Sequence, residues 1–576
     1  MRTRLLSLGL GAVAGVLALA PAVASAQPAA DTAAGVATAG ATVVAVAPSA
    51  PSSLTPASAT PASDALAGQP SEGAEAPTGT TPGQSLDVPA PVASAPQAPA
   101  VRARTALSHA RDLFQRGGTS GAHGATWHHG RDATLVLTQL RHHVHDLTSS
   151  ADRRAARAIL ARPTYGKKPR KGEHAYTVRE QQPVCDAHVC IHYVTSTRDR
   201  VATTDANANG IPDYVDQAQE IFAQVWSTEV ATLGYHRPMD DSALAQHGVD
   251  GKLDVYLQDL ATDTNGLYGY CAPDTSNRRS PGYCVLENDY AEAPFQRRSP
   301  RQNFEVTAAH EFFHAVQFSY DSYESPWLME GTAAWMEDEV FDEVDDNRQY
   351  LAQSPLTDPE LPLNYANFDP AYSPYGGWIF WRFLSEWQGP GAGEDPSVIR
   401  GVWNRAASTS SLGALSATLA ARHTSLTAAF RSFGTWTRNP RHFFAEGAFY
   451  PPARTAKSFL LGSRHPGTGV WGAQLSHLSR AFVRFRPATT LHGAWRLRLH
   501  LDMADRSRGS LAQVVTHHPD GTITVHAVRL DRSGEATTSF VFDRSRVSFL
   551  DLDLVNTSVK LSDDFRPTLF SVTAVR

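Results

Sequence analysis

The chain has 576 residues, 42% of them hydrophobic and 19% charged, with a formal net charge of −6, 23 histidines and four cysteines. That balance provides no basic field with which to hold nucleic acid or an anionic membrane. The length exceeds one ordinary domain and leaves room for two or three cores.

Residues 1–26 begin with Arg2 and Arg4, run apolar from Leu5 to Ala20 and end Ala24-Ser25-Ala26 before Gln27, the pattern of a Sec signal peptide. No later stretch is long and apolar enough to span a membrane, so a secreted, extracellular or periplasmic protein is expected. Residues 27–100 are Ala, Pro, Ser, Thr and Gly with almost no aromatics, too little apolar surface to offset chain entropy, and predict a disordered linker. Residues 101–183 are basic and histidine-rich, with short helices predicted near 134–147 and 151–161. They read either as a propeptide covering an active site or as a solvated basic lead-in.

Folded texture begins near residue 184. Cys185 and Cys190 are five apart, Cys271 and Cys284 thirteen, and in an exported chain local pairing into two disulfides is simplest, other connectivities remaining open. Residues 190–195 alternate as a strand. Asp205, Asn207, Asn209 and Asp213 then stand at loop positions one, three, five and nine, with Gly210 at six, the Ile211 carbonyl at seven and Asp216 at twelve. That is the donor order of an EF-hand-like calcium loop, and an amphipathic helix over 214–233 follows it. The plainer alternative is a helix N-terminus rich in Asx turns. Further strands are expected over 251–260 and 283–289.

The chemistry concentrates in residues 307–317, TAAHEFFHAVQ. On a helix His310 and His314 lie one turn apart on one face and can share a metal ion, while Glu311 can take a proton from water held there. This HExxH string sits among Phe304, Val306, Ala308, Ala309, Phe312, Phe313 and Val316, where unpaired imidazoles and a carboxylate would be costly without a metal. Gln317 and Tyr320 exclude the metzincin continuation. Downstream, residues 327–339 (WLMEGTAAWMEDE) predict a second apolar helix opened by Pro326, with Glu330 in its first turn. Either Glu330 binds something or it answers the helix dipole.

Over residues 185–405 the HEFFHAVQ and WLxEGTAxWMED strings resemble the gluzincins, and a group of secreted bacterial metalloprotease-like proteins in particular. The resemblance implies a zincin-like catalytic domain in which Glu330 is the third zinc ligand. It also implies an antiparallel edge strand before the active helix, assigned by order to 284–288, and an oxyanion donor in the following half, assigned to Tyr375. Of the acidic run 337–346, Glu337 is the residue placed to orient a ligating histidine, the rest reading as solvated surface. Helices are expected over 398–406 and 411–437. After residue 451, period-two runs at 481–485, 495–501, 523–528 and 547–554, parted by turns such as Pro519-Asp520-Gly521, predict a β-sandwich, either an accessory binding module or a packing domain.

The expected fold is therefore α+β: a zincin-like domain over 184–450, then an all-β sandwich-like domain over 451–576. The expected function is a secreted zinc endopeptidase acting on proteins or peptides, with His310, His314 and Glu330 on zinc, Glu311 as general base, and calcium at the 205–216 loop. An aminopeptidase on the same scaffold would normally carry a Gly-x-Met-Glu-Asn string, which is absent. A calcium-stabilised binding or adhesion protein with an idle zincin domain is the alternative from another class.

Overall fold

In the computed structural model the described residues are 84–86, 98–114, 133–164 and 174–576, apart from 246, 250, 264, 265, 292–294, 366–373, 392 and 565. The signal-peptide segment and most of the expected linker lie outside them. All belong to one compact unit, Thr80–Arg576. One piece of the expected linker departs from the reading of disorder. Gln84–Ser85 forms β1, a parallel edge on the C-terminal sandwich, and Leu86 is buried in that sandwich's core.

Where it is described the basic segment is not a solvated lead-in, the run Lys167, Lys168, Arg170 and Lys171 lying outside the described residues. It folds as α1 (Pro99–Leu113), α2 (Ala133–His143) and α3 (Ser150–Ile159), whose Ala and Leu faces are buried. They rest on a sheet built from β2 (Val184–Cys185), β3 (Val189–His192), then, after α4 (Asp213–Trp226), β4 (Leu253–Gln258), α5 (Leu260–Asp263), β5 (Gly269–Pro273) and β6 (Gly282–Glu287). Its order is β2-β3-β4-β6-β5, with β3, β4 and β6 parallel and an antiparallel strand at each edge.

Both faces of this sheet are covered, so β3, β4, β5 and β6 are buried throughout, as sheets sandwiched between helices are. Val255, Leu257, Cys284 and Leu286 share a core with α4 and with α6 (Pro300–Phe318). Tyr256, Tyr270, Tyr283 and Val285 point the other way, onto α1 to α3. Cys185 pairs with Cys190 and Cys271 with Cys284, which fits an extracellular protein. The strand at 284–288 is a correction: β6 is internal, and the antiparallel strand beside the active helix is β5. Gly269 and Pro273 at its ends hide β5 from a search for β-rich runs.

Pro300 at the first position and a reciprocal pair between Ser299 and Gln302 start α6. The helix is then buried on every side from Asn303 to Phe318, hence its lack of a polar stripe. Next come α7 (Pro326–Val340), α8 (Trp378–Gln388), α9 (Ser397–Ala406), α10 (Ser411–Ala421), α11 (Leu426–Arg438) and α12 (Pro440–Phe443). The single helix expected over 411–437 is broken where His423 takes a positive φ of 58° and Ser425 caps α11.

The C-terminal strands are β7 (Lys457–Leu461), β8 (Gly467–Leu475), β9 (Ser479–Pro487), β10 (Arg496–Asp502), β11 (Ser510–His517), β12 (Ile523–Val528), β13 (Glu535–Val541), β14 (Phe549–Asn556) and β15 (Arg566–Val575). They form two five-stranded sheets, β1-β8-β15-β10-β13 and β12-β11-β14-β9-β7, around a shared apolar core. The second sheet turns its outer face to α11. There Arg438 and Arg484 meet Asp551, and Arg480 meets Asp553, all but Arg484 nearly sealed from solvent.

Candidate metal centre

α6 presents His310 and His314 on the side that faces α7, and α7 returns Glu330 between them. Glu330 Oε2 is 3.2 Å from His310 Nε2 and 3.5 Å from His314 Nε2. One ligand atom from each of the three residues lies within 4.8 Å of the other two, and all three side chains are buried. Glu330 stands in the second turn of α7, which starts at Pro326, not in the first as expected, so helix-dipole stabilisation is the weaker account of it.

Both imidazoles are held from behind. His310 Nδ1 donates to Glu337 Oε1 at 2.8 Å, and His314 Nδ1 donates to Gln317 Oε1 at 2.7 Å. With Nδ1 held in this way, each ring turns Nε2 toward the shared space, where His310 Nε2 meets Glu330 Oε2. Gln317 is itself fixed, its Nε2 donating to Met329 O and Thr332 Oγ1. Gln317 follows His314 by three residues on one helix, so helical spacing alone could have identified it.

The two carboxylates favour positive charge on His310. Burial works to lower the His310 pKa, but the flanking Glu330 and Glu337 carboxylates carry it up to about 10. Burial works to raise Glu330, but His314 and His310 hold it down at about 2. His314 Nε2 and Glu330 Oε1 are buried yet make no hydrogen bond. Orphaned acceptors converging on one point fit a tetrahedral metal such as zinc, which His2Glu sets bind.

Glu311 is beside this cluster and raised above the ordinary carboxylate range by burial, partly offset by His314 and His310. Its Oε2 accepts a hydrogen bond of 2.9 Å from Thr134 Oγ1 on α2, a neighbour 177 positions away that no local signal announces. Tyr375 lies in a short 3-10 turn, Pro374–Gly377, its ring between those of His310 (centroids 5.5 Å) and Tyr350 (5.1 Å).

The 205–216 loop is exposed and closed by its own hydrogen bonds. Asp205 accepts from the backbone of Asn209 and Gly210, Asp213 from Ala206, and Asn209 Oδ1 from Ile211. Asn207 and Asn209 each donate Nδ2 to Asp216 Oδ2 at 2.9 Å. Asp205, Asp213 and Asp216 are not among the described carboxylate groups close enough to share an ion, the two amides standing between them.

The acidic run is a solvated face only in part, at Asp342 and Glu343, which are exposed. Asp338 and Asp346 are buried along with Glu337, Asp338 being paired with Arg382. Asp338, Asp345 and Glu446 form a second close carboxylate group, but Arg382 and Arg348 already neutralise it.

No protein-family model matches this chain, and no curated protein matches it. Among solved structures, one similarity is to a family GH115 4-O-methyl-α-glucuronidase with specificity for decorated arabinogalactans. It has 10% identity over 60% of this chain and 54% of that one, with a TM-score of 0.14. A likeness at that level says nothing of activity.

Proposed function

We propose that the chain is an exported zinc-dependent endopeptidase with a zincin-like catalytic half of the gluzincin type. The observation that carries the proposal is the convergence of His310, His314 and Glu330 from two successive buried helices, with acceptor atoms left unsatisfied at the meeting point. These three would hold the ion, which when bound supplies Lewis acidity, acidifying water and polarising the scissile carbonyl.

The chain's own groups do the rest. Glu311 takes the proton as the water oxygen bonds to the carbonyl carbon, then delivers it to the amide nitrogen as the C–N bond breaks. Its burial raises its proton affinity, which suits the first half of that cycle. Glu337 and Gln317 keep the two rings in one tautomer and one orientation. Tyr375, stacked beside His310, is assigned to the developing oxyanion. The outer edge of β5 beside α6 offers backbone groups to which an extended peptide can add, and this favours an endopeptidase.

Calcium at the 205–216 loop belongs to the same proposal and would act on stability alone. It is supported by the order of oxygen donors along the loop. Metal analysis of purified protein is the direct test. Wild type is expected to carry one zinc per chain and His314→Ala none, and wild-type protein that takes up no zinc would refute the proposal.

A further inference from the structure

The proposed base is occupied by another part of the chain. Thr134 Oγ1 donates to Glu311 Oε2 and accepts from the Cys271 backbone N–H at 2.8 Å. Cys271 faces Cys284 across β5 and β6 in a pair whose backbone groups point outward, so this N–H lies on the free edge of the sheet. Two residues along the same edge, the Pro273 carbonyl accepts from Arg141 Nε at 2.8 Å. Thr134 and Arg141 are seven residues apart, on one side of α2. Together α2 supplies one acceptor and one donor to β5, the two partners that an added strand of peptide would supply.

Other contacts hold α2 there. The His142 ring stacks on Tyr323 at 3.4 Å between centroids and its Nε2 meets Ser322 Oγ at 3.0 Å, which ties α2 to the connection between α6 and α7. Arg141 Nη2 donates to Leu160 O. Just beyond, Arg162 sits in a buried pocket of three carboxylates, Asp241, Asp254 and Asp274. The bond to Glu311, the edge-strand partners and this anchor all belong to residues N-terminal to Thr164. Meanwhile His310, Glu311, His314 and Glu330 are each no more than 1% exposed.

We infer that the described residues 98–114 and 133–163 form a built-in plug: α2 lies where an extended peptide would dock on β5, with the Thr134 hydroxyl on Glu311, and the intact chain is a latent peptidase released by severing and displacing these helices. The inference rests on the peptidase proposal for the activity held back, while the occlusion stands on geometry alone. Displacement also uncovers Tyr256, Tyr270 and Tyr283, so the released form is expected to unfold at a lower temperature than the intact one.

The test places a recognition sequence for a site-specific protease between Thr164 and His174 in the full zinc-loaded chain. The folded protein is cut and its fragments are separated by gel filtration. Hydrolysis of quenched-fluorescent peptides of mixed sequence, and the rate at which dipicolinate strips zinc, are measured before and after. The expected result is bound zinc in both forms, faster stripping after the cut, and a kcat/KM raised by at least about tenfold, the factor for a site competent about a tenth of the time. Should the released form aggregate, Arg141→Ala in the uncut chain, which removes two anchors of α2, is expected to raise the rate severalfold. Equal hydrolysis and equal stripping in cut and uncut protein, with Arg141→Ala no faster than wild type, would overturn the plug and leave the peptidase proposal intact. Faster stripping with bound zinc but no hydrolysis in any form would uphold the occlusion and overturn the peptidase proposal.

Discussion

Gln317→Ala separates what orients the proposed zinc ligands from what merely fills the core. Gln317 is fully buried and makes three hydrogen bonds: Oε1 accepts from His314 Nδ1 at 2.7 Å, and Nε2 donates to Met329 O at 2.9 Å and Thr332 Oγ1 at 3.2 Å. The first governs the His314 tautomer, and the other two brace α6 against α7. Loss of a partner that orients a metal ligand costs about 10- to 100-fold in metal affinity, or about 1.4 to 2.8 kcal/mol. Loss of the bracing bonds costs the fold about 1 kcal/mol each, with more for the cavity. The two effects are read separately, by competition with a chromophoric zinc chelator at neutral pH and by urea unfolding of the zinc-free protein. Gln317→Glu restores an acceptor to His314 and adds a charge to it, so its affinity should equal or exceed that of wild type. If Gln317→Ala lowers folding stability while its zinc affinity matches wild type, the claim that this amide positions His314 is wrong.

Glu311→Gln should abolish peptide hydrolysis while zinc content stays at the wild-type level; unchanged turnover would remove Glu311 from the mechanism. Gly331→Ala places a Cβ 2.7 Å from the Trp381 indole nitrogen, in a ring stacked on Trp327, and should destabilise by about 1 to 3 kcal/mol in urea titration, with weakened zinc binding because the residue adjoins Glu330. Glu229 is buried with neither carboxylate oxygen hydrogen-bonded, and burial raises its pKa well above 4.5. The folded state therefore binds this proton more tightly than the unfolded state. Its contribution is complete below about pH 4.5 and is lost as pH rises from there toward the folded pKa. Glu229→Gln should thus gain stability relative to wild type above neutrality and lose that advantage in acid, as thermal unfolding across pH would show.

What was legible in the sequence divides along physical lines. Local signals survived: Pro326 starts the second site helix, the spacing of His310 and His314 gives their common face, and strand alternation placed β4, β6, β9, β10, β12 and β14 to within a few residues. Neighbour order was not legible. β5, short and bounded by Gly269 and Pro273, became the edge in place of β6, because strand adjacency depends on crossovers that no short stretch encodes. Thr134 was invisible for the same reason, lying 177 residues from its partner Glu311. Charge misled in two places. Asp338 carries the pattern of a solvated face yet is buried against Arg382, and on β14 Asp551 and Asp553 occupy the face that period-two alternation assigns to water.

That buried face of β14 decides what kind of unit the sandwich is. Arg438 from α11 and Arg484 from β9 close on Asp551, and Arg480 reaches both Asp553 and the Phe430 carbonyl of α11. Phe482, Leu511 and Val555 join the same apolar core as Phe430 and Phe433. A chain ended at residue 450 would lose these buried ion pairs and open that apolar core to water. The sandwich is thus welded to the helical half, not hinged to it. Anything it grips is presented to the rest of the molecule at one fixed distance and angle.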